Sequence, residues 1–310
     1  MITVAGFNTA IDRLVQLDTL VPGQVQRVRS EQVYPGGKGV HVAQTIAALG
    51  ERVQLVGPVD AAHRNLIGRR LSERNVLFHG VEVSGALRHC MALREADGRI
   101  TEILGQGPQL SEAECASLMR DVQRGADESA LVILSGSLPR GLADDTYAVL
   151  VRQLQATGKR CLVDASGDVL RQALSARPLL IKPNRDEAEA LLGRAVVGLD
   201  DAIAALREFA ARGVAMPVLS LGALGAVGMD DGGAWHAAVE LQQVRNAVGS
   251  GDCFLAGMAV AIARGEPLRE ALRLAVACGA ANAMEVETGY VRRDQVEALL
   301  GRVRVREWWH

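Results

Sequence analysis

Short apolar runs that recur along the chain, with helical stretches between them, limit the fold more than any other feature of this sequence. "ITVAGF" opens the chain and "RVQLVGPV" follows at 52–59. Then come "ALVILSGSLP" (130–139), "RCLVDAS" (160–166), "PLLIKPN" (178–184) and "MPVLSLG" (216–222). Most are apolar at successive positions rather than alternate ones, the pattern of parallel strands covered on both faces. Between them lie "GVHVAQTIAALG", "DEAEALLG" and "LDDAIAALREFAARG", each with a helical period and a closing glycine, a usual residue just past a helix end. Alternating β and α units predict an α/β fold, a doubly wound and mainly parallel sheet with helices on both faces.

Two stretches break the rhythm. Residues 12–35 and 86–104 lack a helical period and read as alternating strands, with turns at Pro22-Gly23 and Asp97-Gly98. Paired with each other, they would make a small β-sheet lid inserted into the core. No repeat, low-complexity segment or linker divides the 310 residues, so one domain over 1–310 is expected.

Composition narrows the partners. A net charge of −2 with no block of Lys or Arg gives no footprint for nucleic acid or an anionic membrane, so any phosphate recognition must be local. No apolar run reaches the roughly 18 residues of a spanning helix. The N-terminus carries no basic segment ahead of an apolar one. Cys90, Cys115, Cys161, Cys253 and Cys278 are scattered and odd in number, which indicates neither a zinc site nor a disulfide framework. A reduced, cytoplasmic protein is the expectation.

Four stretches carry chemistry, and each has a plain structural alternative. In "NAVGSGDCFLAG" (246–257), Gly249, Ser250 and Gly251 precede Asp252 at the start of an apolar helix. Free N–H groups at a helix start bind anions. Asp252 is thus either a residue favoured by the helix dipole or a base beside an anion nest. "YPGGKGVHVAQTIAALG" (34–50) is a second glycine-rich helix start, either a tight turn or a ligand site with Lys38 supplying charge, and it is no Walker A loop. In "IKPNRDEAEALLG" (181–193), Asn184 and Glu187 stand three apart, as a capping box or as holders of a hydrated Mg²⁺. "SLGALGAVGMDDG" (220–232) is a hairpin turn or a backbone shelf for a nucleotide, and it lacks the dinucleotide fingerprint.

Taken in order, these stretches resemble the PfkB (ribokinase-like) carbohydrate kinases over nearly the whole chain. "PGGKGVHVAQTIAALG" is similar to that family's first signature, "NAVGSGDCFLAG" to its second, and "KPNRDEAE" to its N-x-x-E motif. "SGSLPRG" (135–141), "NTAIDR" (8–13) and "DGRITEILGQGPQLSEAE" (97–114) resemble the 1-phosphofructokinase and tagatose-6-phosphate kinase branch. The resemblance implies ATP and Mg²⁺ as cofactors and Asp252 as the base for an acceptor hydroxyl. Backbone N–H groups of Gly249, Ser250, Gly251 and Asp252 would stabilise the transferred phosphoryl group. Asn184 and Glu187 would position Mg²⁺ through water, and Lys182, Asn184, Ser220, Gly222, Gly225 and Asn282 would serve the nucleotide. Asp12, Gly37, Lys38 and His41 would meet the acceptor, with Arg27 and Arg88 reaching from the lid. Such lids clasp each other across a two-fold axis in related kinases, which implies a homodimer.

The departures fall on acceptor-facing positions. His41 stands where the family carries Asn, Gln26 where Asn is usual, and Cys90 and Ala92 where the phosphofructokinase branch has Asn and Lys. His41 is either a changed acceptor contact or a helix-start residue that caps or is solvated. The expected function is ATP-dependent phosphorylation of a sugar phosphate of the fructose 1-phosphate or tagatose 6-phosphate type. The alternatives are an unphosphorylated sugar or nucleoside as acceptor, or a non-catalytic sugar-phosphate sensor on the same fold.

Overall fold

The computed structural model describes residues 1–308. In chain order the strands are β1 (Ile2–Ala5), β2 (Ala10–Gln16), β3 (Ser30–Gly36), β4 (Val53–Val59), β5 (Val76–Glu82), β6 (Arg88–Arg94) and β7 (Ile100–Leu104). They continue as β8 (Leu131–Ser135), β9 (Arg160–Asp164), β10 (Leu180–Ile181), β11 (Met216–Ser220), β12 (Ala226–Asp230), β13 (Gly233–Ala238) and β14 (Arg304–Trp308). The helices are α1 (Lys38–Ala48), α2 (Arg64–Glu73), α3 (Glu112–Asp127), α4 (Thr146–Ala156) and α5 (Gly167–Leu174). After them come α6 (Arg185–Leu192), α7 (Leu199–Ala211), α8 (Ser250–Arg264), α9 (Leu268–Met284) and α10 (Arg293–Leu300).

Ten strands form one sheet in the order β14-β13-β12-β11-β10-β9-β8-β1-β4-β5. From β5 to β11 every neighbouring pair is parallel, and β12 to β14 extend the edge antiparallel. β1, β4 and β8 are buried at every residue, which explains why they are apolar at most positions, with buried polar exceptions such as Thr3 and Gln54. Successive side chains leave a strand on opposite faces. Thr3 of β1 donates to the Gly125 carbonyl of α3 (2.9 Å), whereas Gly6 lies against Gly39 of α1, close enough that a Cβ on either glycine would crowd the other's backbone. One helical layer thus runs through α1, α8, α9 and α10, and α3 to α7 form the other.

The second sheet has the order β3-β2-β6-β7 and stands apart from the first. β2 pairs antiparallel with β3, β6 antiparallel with β7, and β2 parallel with β6, so the two off-rhythm stretches do join in one sheet. Both expected turns form, with Gly23 (φ 80°) and Gly98 (φ 91°) in the left-handed region. The strands are shorter than the sequence pattern suggested. β2 ends at Gln16 and β3 begins at Ser30, because residues 17–29 wrap outside the sheet with exposed Val25 and Val28. No helix among the described residues is long and apolar enough to cross a membrane.

Candidate active site

The C-terminal ends of β1, β8, β9, β10 and β11 point the same way, and the small sheet stands over them. Chain order in the large sheet reverses direction at β1, where β4 lies on one side and β8 on the other. Open α/β sheets bind ligands at such a place, outside the carboxyl ends of the strands. A cleft of about 1200 Å³ lies there, room for a nucleotide together with a second small molecule.

The start of α8 forms one wall. Gly249 is its N-cap, in the left-handed conformation (φ 82°), and a Cβ there would overlap the Gly289 backbone. Asp252 therefore does not cap the helix. Its carboxylate turns into the cleft, and the residue is 6% exposed. The expected nest of four amides is narrower than the sequence implied. The Ser250 N–H donates to the Ala247 carbonyl (3.2 Å) and the Asp252 N–H to Gly249 (3.0 Å), because the first turn tightens on itself. Among the described residues, the Gly249 and Gly251 N–H groups have no protein acceptor.

Two buried asparagines hold this turn. Asn246 donates to Val286 O (3.0 Å) and Thr288 Oγ1 (3.1 Å) and accepts from Val248 N (3.0 Å). Asn282 donates to Val248 O and Ser250 Oγ (both 2.9 Å) and accepts from Tyr290 N (3.0 Å). Asn282 is fully buried and is not among the residues that line the cleft, so in this structure it meets the turn before α8 rather than the cleft itself. A carboxamide offers donors and acceptors together, which suits it to a backbone loop with unpaired groups of both kinds.

Opposite α8, the start of α1 brings its N-cap Gly37 and its first residue Lys38 to the cleft. Lys38 Nζ is 3.5 Å from Asp164 Oδ1, and Lys182 Nζ is 3.3 Å from the same oxygen. Burial would lower the Lys38 pKa, but Asp164, then Asp252 and Glu187, hold its ammonium above the ordinary lysine range. Asp164 was not singled out from sequence. Its only signal was an acid closing the apolar run of β9, and its partners come from two other strand ends.

Asn184 and Glu187 form the capping box of α6, with Asn184 Oδ1 accepting from Glu187 N and Glu187 Oε2 from Asn184 N (both 2.9 Å). Both also line the cleft, and Glu187 keeps its second carboxylate oxygen. No group of three His, Cys, Asp or Glu side chains among the described residues is arranged to hold a metal. A divalent cation here must draw most ligands from water and phosphate, as Mg²⁺ usually does, and an exposed amide and a partly exposed carboxylate at the rim fit that manner of binding. Ser220, Gly222 and Gly225 line the same end, where Asn184 and Ser220 continue the pairing of β10 with β11.

On the lid side, Asp12 of β2 faces the cleft over Gly36, where a Cβ would overlap its carboxylate. Arg88 of β6 is pinned by its Nε to the Asn8 carbonyl (3.0 Å) and lines the cleft. Cys90 and Ala92 do likewise, and so does Glu102 of β7. Burial, then Asp12 and Asp252, push the Glu102 carboxyl up. Arg27 is exposed on the 17–29 segment and is not among the cleft residues, so within its own chain it does not reach the acceptor side.

His41 neither caps α1 nor meets solvent. It is buried, with Nδ1 2.7 Å from Asp252 Oδ2 and Nε2 3.0 Å from Asp12 Oδ2. Burial alone would lower its pKa, but the bonds to Asp12 and Asp252 and their charges push it up to about 10. Burial likewise raises the Asp252 carboxyl, yet the His41 bond and charge, then Lys38 and Lys182, bring it below its ordinary value.

The sequence matches the pfkB family of carbohydrate kinases over residues 5–293. Phosphofructokinase-2 of Escherichia coli, solved in complex with substrates and products, is 27% identical, with 97% of this chain and 98% of that chain covered and a TM-score of 0.91. A Thermotoga maritima protein described as a possible 1-phosphofructokinase is 20% identical over 99% of both chains, with a TM-score of 0.89, a likeness of fold. Residues 5–293 take in both sheets' cleft-facing segments and the start of α8, and the chain belongs to the pfkB family of ATP-dependent carbohydrate kinases.

Proposed function

We propose that this kinase transfers the γ-phosphoryl group of ATP to a hydroxyl of a sugar phosphate of the fructose 1-phosphate or tagatose 6-phosphate type. One observation carries the reading: the buried Asp252 carboxylate sits on the same helical turn as the unpaired Gly249 and Gly251 N–H groups, all facing one cleft. Asp252 takes the proton from the acceptor hydroxyl as that oxygen attacks. The two amides, with Lys38 and Lys182, offset charge on the phosphoryl oxygens, the main contribution a protein makes to this reaction. Asn184 and Glu187 would hold a Mg²⁺ ion through its waters, and the cation would supply positive charge for the nucleotide phosphates. Ser220, Gly222 and Gly225 give the nucleotide a backbone shelf. The small sheet covers the acceptor and excludes water.

A phosphorylated acceptor is supported by Arg88, held at the cleft by the Asn8 carbonyl, and by Lys38. The Escherichia coli phosphofructokinase-2 has also been solved with fructose-6-phosphate. Glu102 and Ala92 favour a second reading, an unphosphorylated sugar, since an exposed carboxylate on the lid side of the cleft opposes a phosphate and Ala92 adds no cation. ADP formation over a panel of ketose phosphates, free sugars and nucleosides decides between them. Turnover restricted to free sugars moves the assignment to the second reading, and no ADP with any acceptor leaves a non-catalytic sensor. We also propose a homodimer through the lid, where Val21, Val25, Val28, Val33, Ile103 and Leu104 are exposed. A monomer in sedimentation at micromolar concentration refutes it.

A further inference from the structure

The His41 ring stands between two carboxylates that come from opposite ends of the chain. Asp252 lies 211 residues from it in sequence and Asp12 lies 29, yet each places Oδ2 within 3.0 Å of a different ring nitrogen. A neutral imidazole has one N–H and donates to one partner, whereas the imidazolium has two and donates to both. Carboxylates on both nitrogens therefore select the charged ring. A third side of the slot is built for it as well. Gly289, at φ 64°, forms a wall on which any Cβ would overlap the ring. Gln44, farther along α1, donates to the Gly289 carbonyl (2.6 Å), and Arg74, just past the end of α2, donates to Gln44 Oε1 (2.6 Å).

We propose that His41 is a positioning residue which, as an imidazolium, locks the carboxylates of Asp12 and Asp252 into one arrangement and leaves an Oδ1 on each for the acceptor. The inference rests on the kinase reading for what fills the cleft, while the state of the ring stands on its own. Without the ring the two carboxylates would lose a shared counter-charge, and each would be free to turn. Asp12 of β2 and Asp252 of α8 are bonded to the ring, Glu102 of β7 feels its charge, Lys38 of α1 and Lys182 act on Asp252, and Arg88 and Cys90 of β6 line the same cleft. Glu287, on the segment behind Gly289, is held by Arg74 (2.8 Å) and Arg70 (3.3 Å).

The lock makes acceptor binding and proton removal depend on one ring, which gives it a signature in pH. His41 keeps Asp252 ionised to lower pH than the burial of that carboxyl would allow. Replacing His41 by Asn or Gln therefore moves the acid limb of kcat/KM to higher pH. Loss of the second ring proton in strongly alkaline solution deprives one carboxylate of its donor, so the wild-type chain also carries an alkaline limb that both variants lack.

The test has two arms. In the first, ¹⁵N-edited spectra of the His41 imidazole are recorded on the full chain without ligand. Both nitrogens are expected to be protonated at pH 7.5, and Asp12→Asn or Asp252→Asn each to lower the pH at which the second proton leaves. A neutral, single-tautomer ring at pH 7.5 overturns the proposal. In the second, pH profiles of kcat/KM are compared for wild type, His41→Asn and His41→Gln with the best acceptor found. A loss of about 10²-fold near neutral pH is expected from misplaced carboxylates, together with the shifted acid limb. A uniform loss with unmoved limbs overturns it, being what a ring that merely fills space would give. If wild type forms no ADP with any acceptor, the kinase reading fails and the imidazole spectra alone decide the lock. If both His41 variants unfold, the ring titration in the Asp12→Asn chain decides it.

Discussion

Asn282→Ala separates a nucleotide contact from a brace. The side chain is buried and makes two 2.9 Å bonds, to Val248 O and Ser250 Oγ, and accepts one at 3.0 Å from Tyr290 N. Alanine leaves the Val248 carbonyl and the Tyr290 N–H without this partner, and each such group costs about 1–3 kcal/mol. Both residues are only partly buried, so the lower half of that range applies, about 2–4 kcal/mol together. At about 2.1 cal/mol/K of unfolding entropy per residue, a chain of this length loses about 3–6 °C of Tm. The amide turn at Gly249 and Gly251 would keep Asn246 as its remaining support, so kcat should fall about tenfold or more through misplacement of the donors. The KM for ATP should change little. Thermal unfolding with steady-state kinetics at saturating acceptor reads all three. An unchanged Tm with a tenfold higher KM for ATP would refute the brace and restore the nucleotide contact.

Asp252→Asn keeps size and can still accept from His41, so kcat should fall by about 10²–10⁴ with nucleotide affinity little changed; near-normal turnover removes Asp252 as base. Glu187→Gln should raise the Mg²⁺ requirement and lower kcat, and an unchanged Mg²⁺ titration would leave Glu187 only its capping role. Ala92→Lys places a cation at the cleft opposite Glu102 and should lower KM for a sugar phosphate but not for a free sugar; a neutral or harmful effect, with free sugars preferred, argues for an unphosphorylated acceptor. Finally, the Glu114 carboxyl accepts from the Ser111 and Ser84 backbone N–H groups, which hold its pKa down to about 2 from 4.5. A depressed carboxyl stabilises the fold above its unfolded pKa, so the contribution is full above about pH 4.5 and fades towards pH 2. The Tm gap between wild type and Glu114→Gln should shrink from pH 6 to pH 3, and a gap that widens would show the sign to be wrong.

Where the determinant is local, sequence alone was enough. Runs apolar at most successive positions marked β1, β4 and β8 as doubly covered strands, since hydration penalises such a run at any exposed face. Gly23 and Gly98 marked the lid turns because the left-handed backbone is open to glycine at no steric cost. Asn184 and Glu187 were legible as a capping box, and Gly249 to Asp252 as a polar helix start, from spacing within one turn. Chemistry made by residues far apart in sequence was not legible. Asp164 became informative only when β9 and β10 placed it between Lys38 and Lys182, and Asn282 became a brace only when α9 packed beside α8. His41 read equally well as a helix-start residue, because nothing within its own turn reveals a carboxylate 211 residues away. Periodicity and turn chemistry act within a few residues and are written along the chain. Charge, by contrast, acts through space, so which groups hold a proton at this site was decided by the packing of β2, α1 and α8 around one ring.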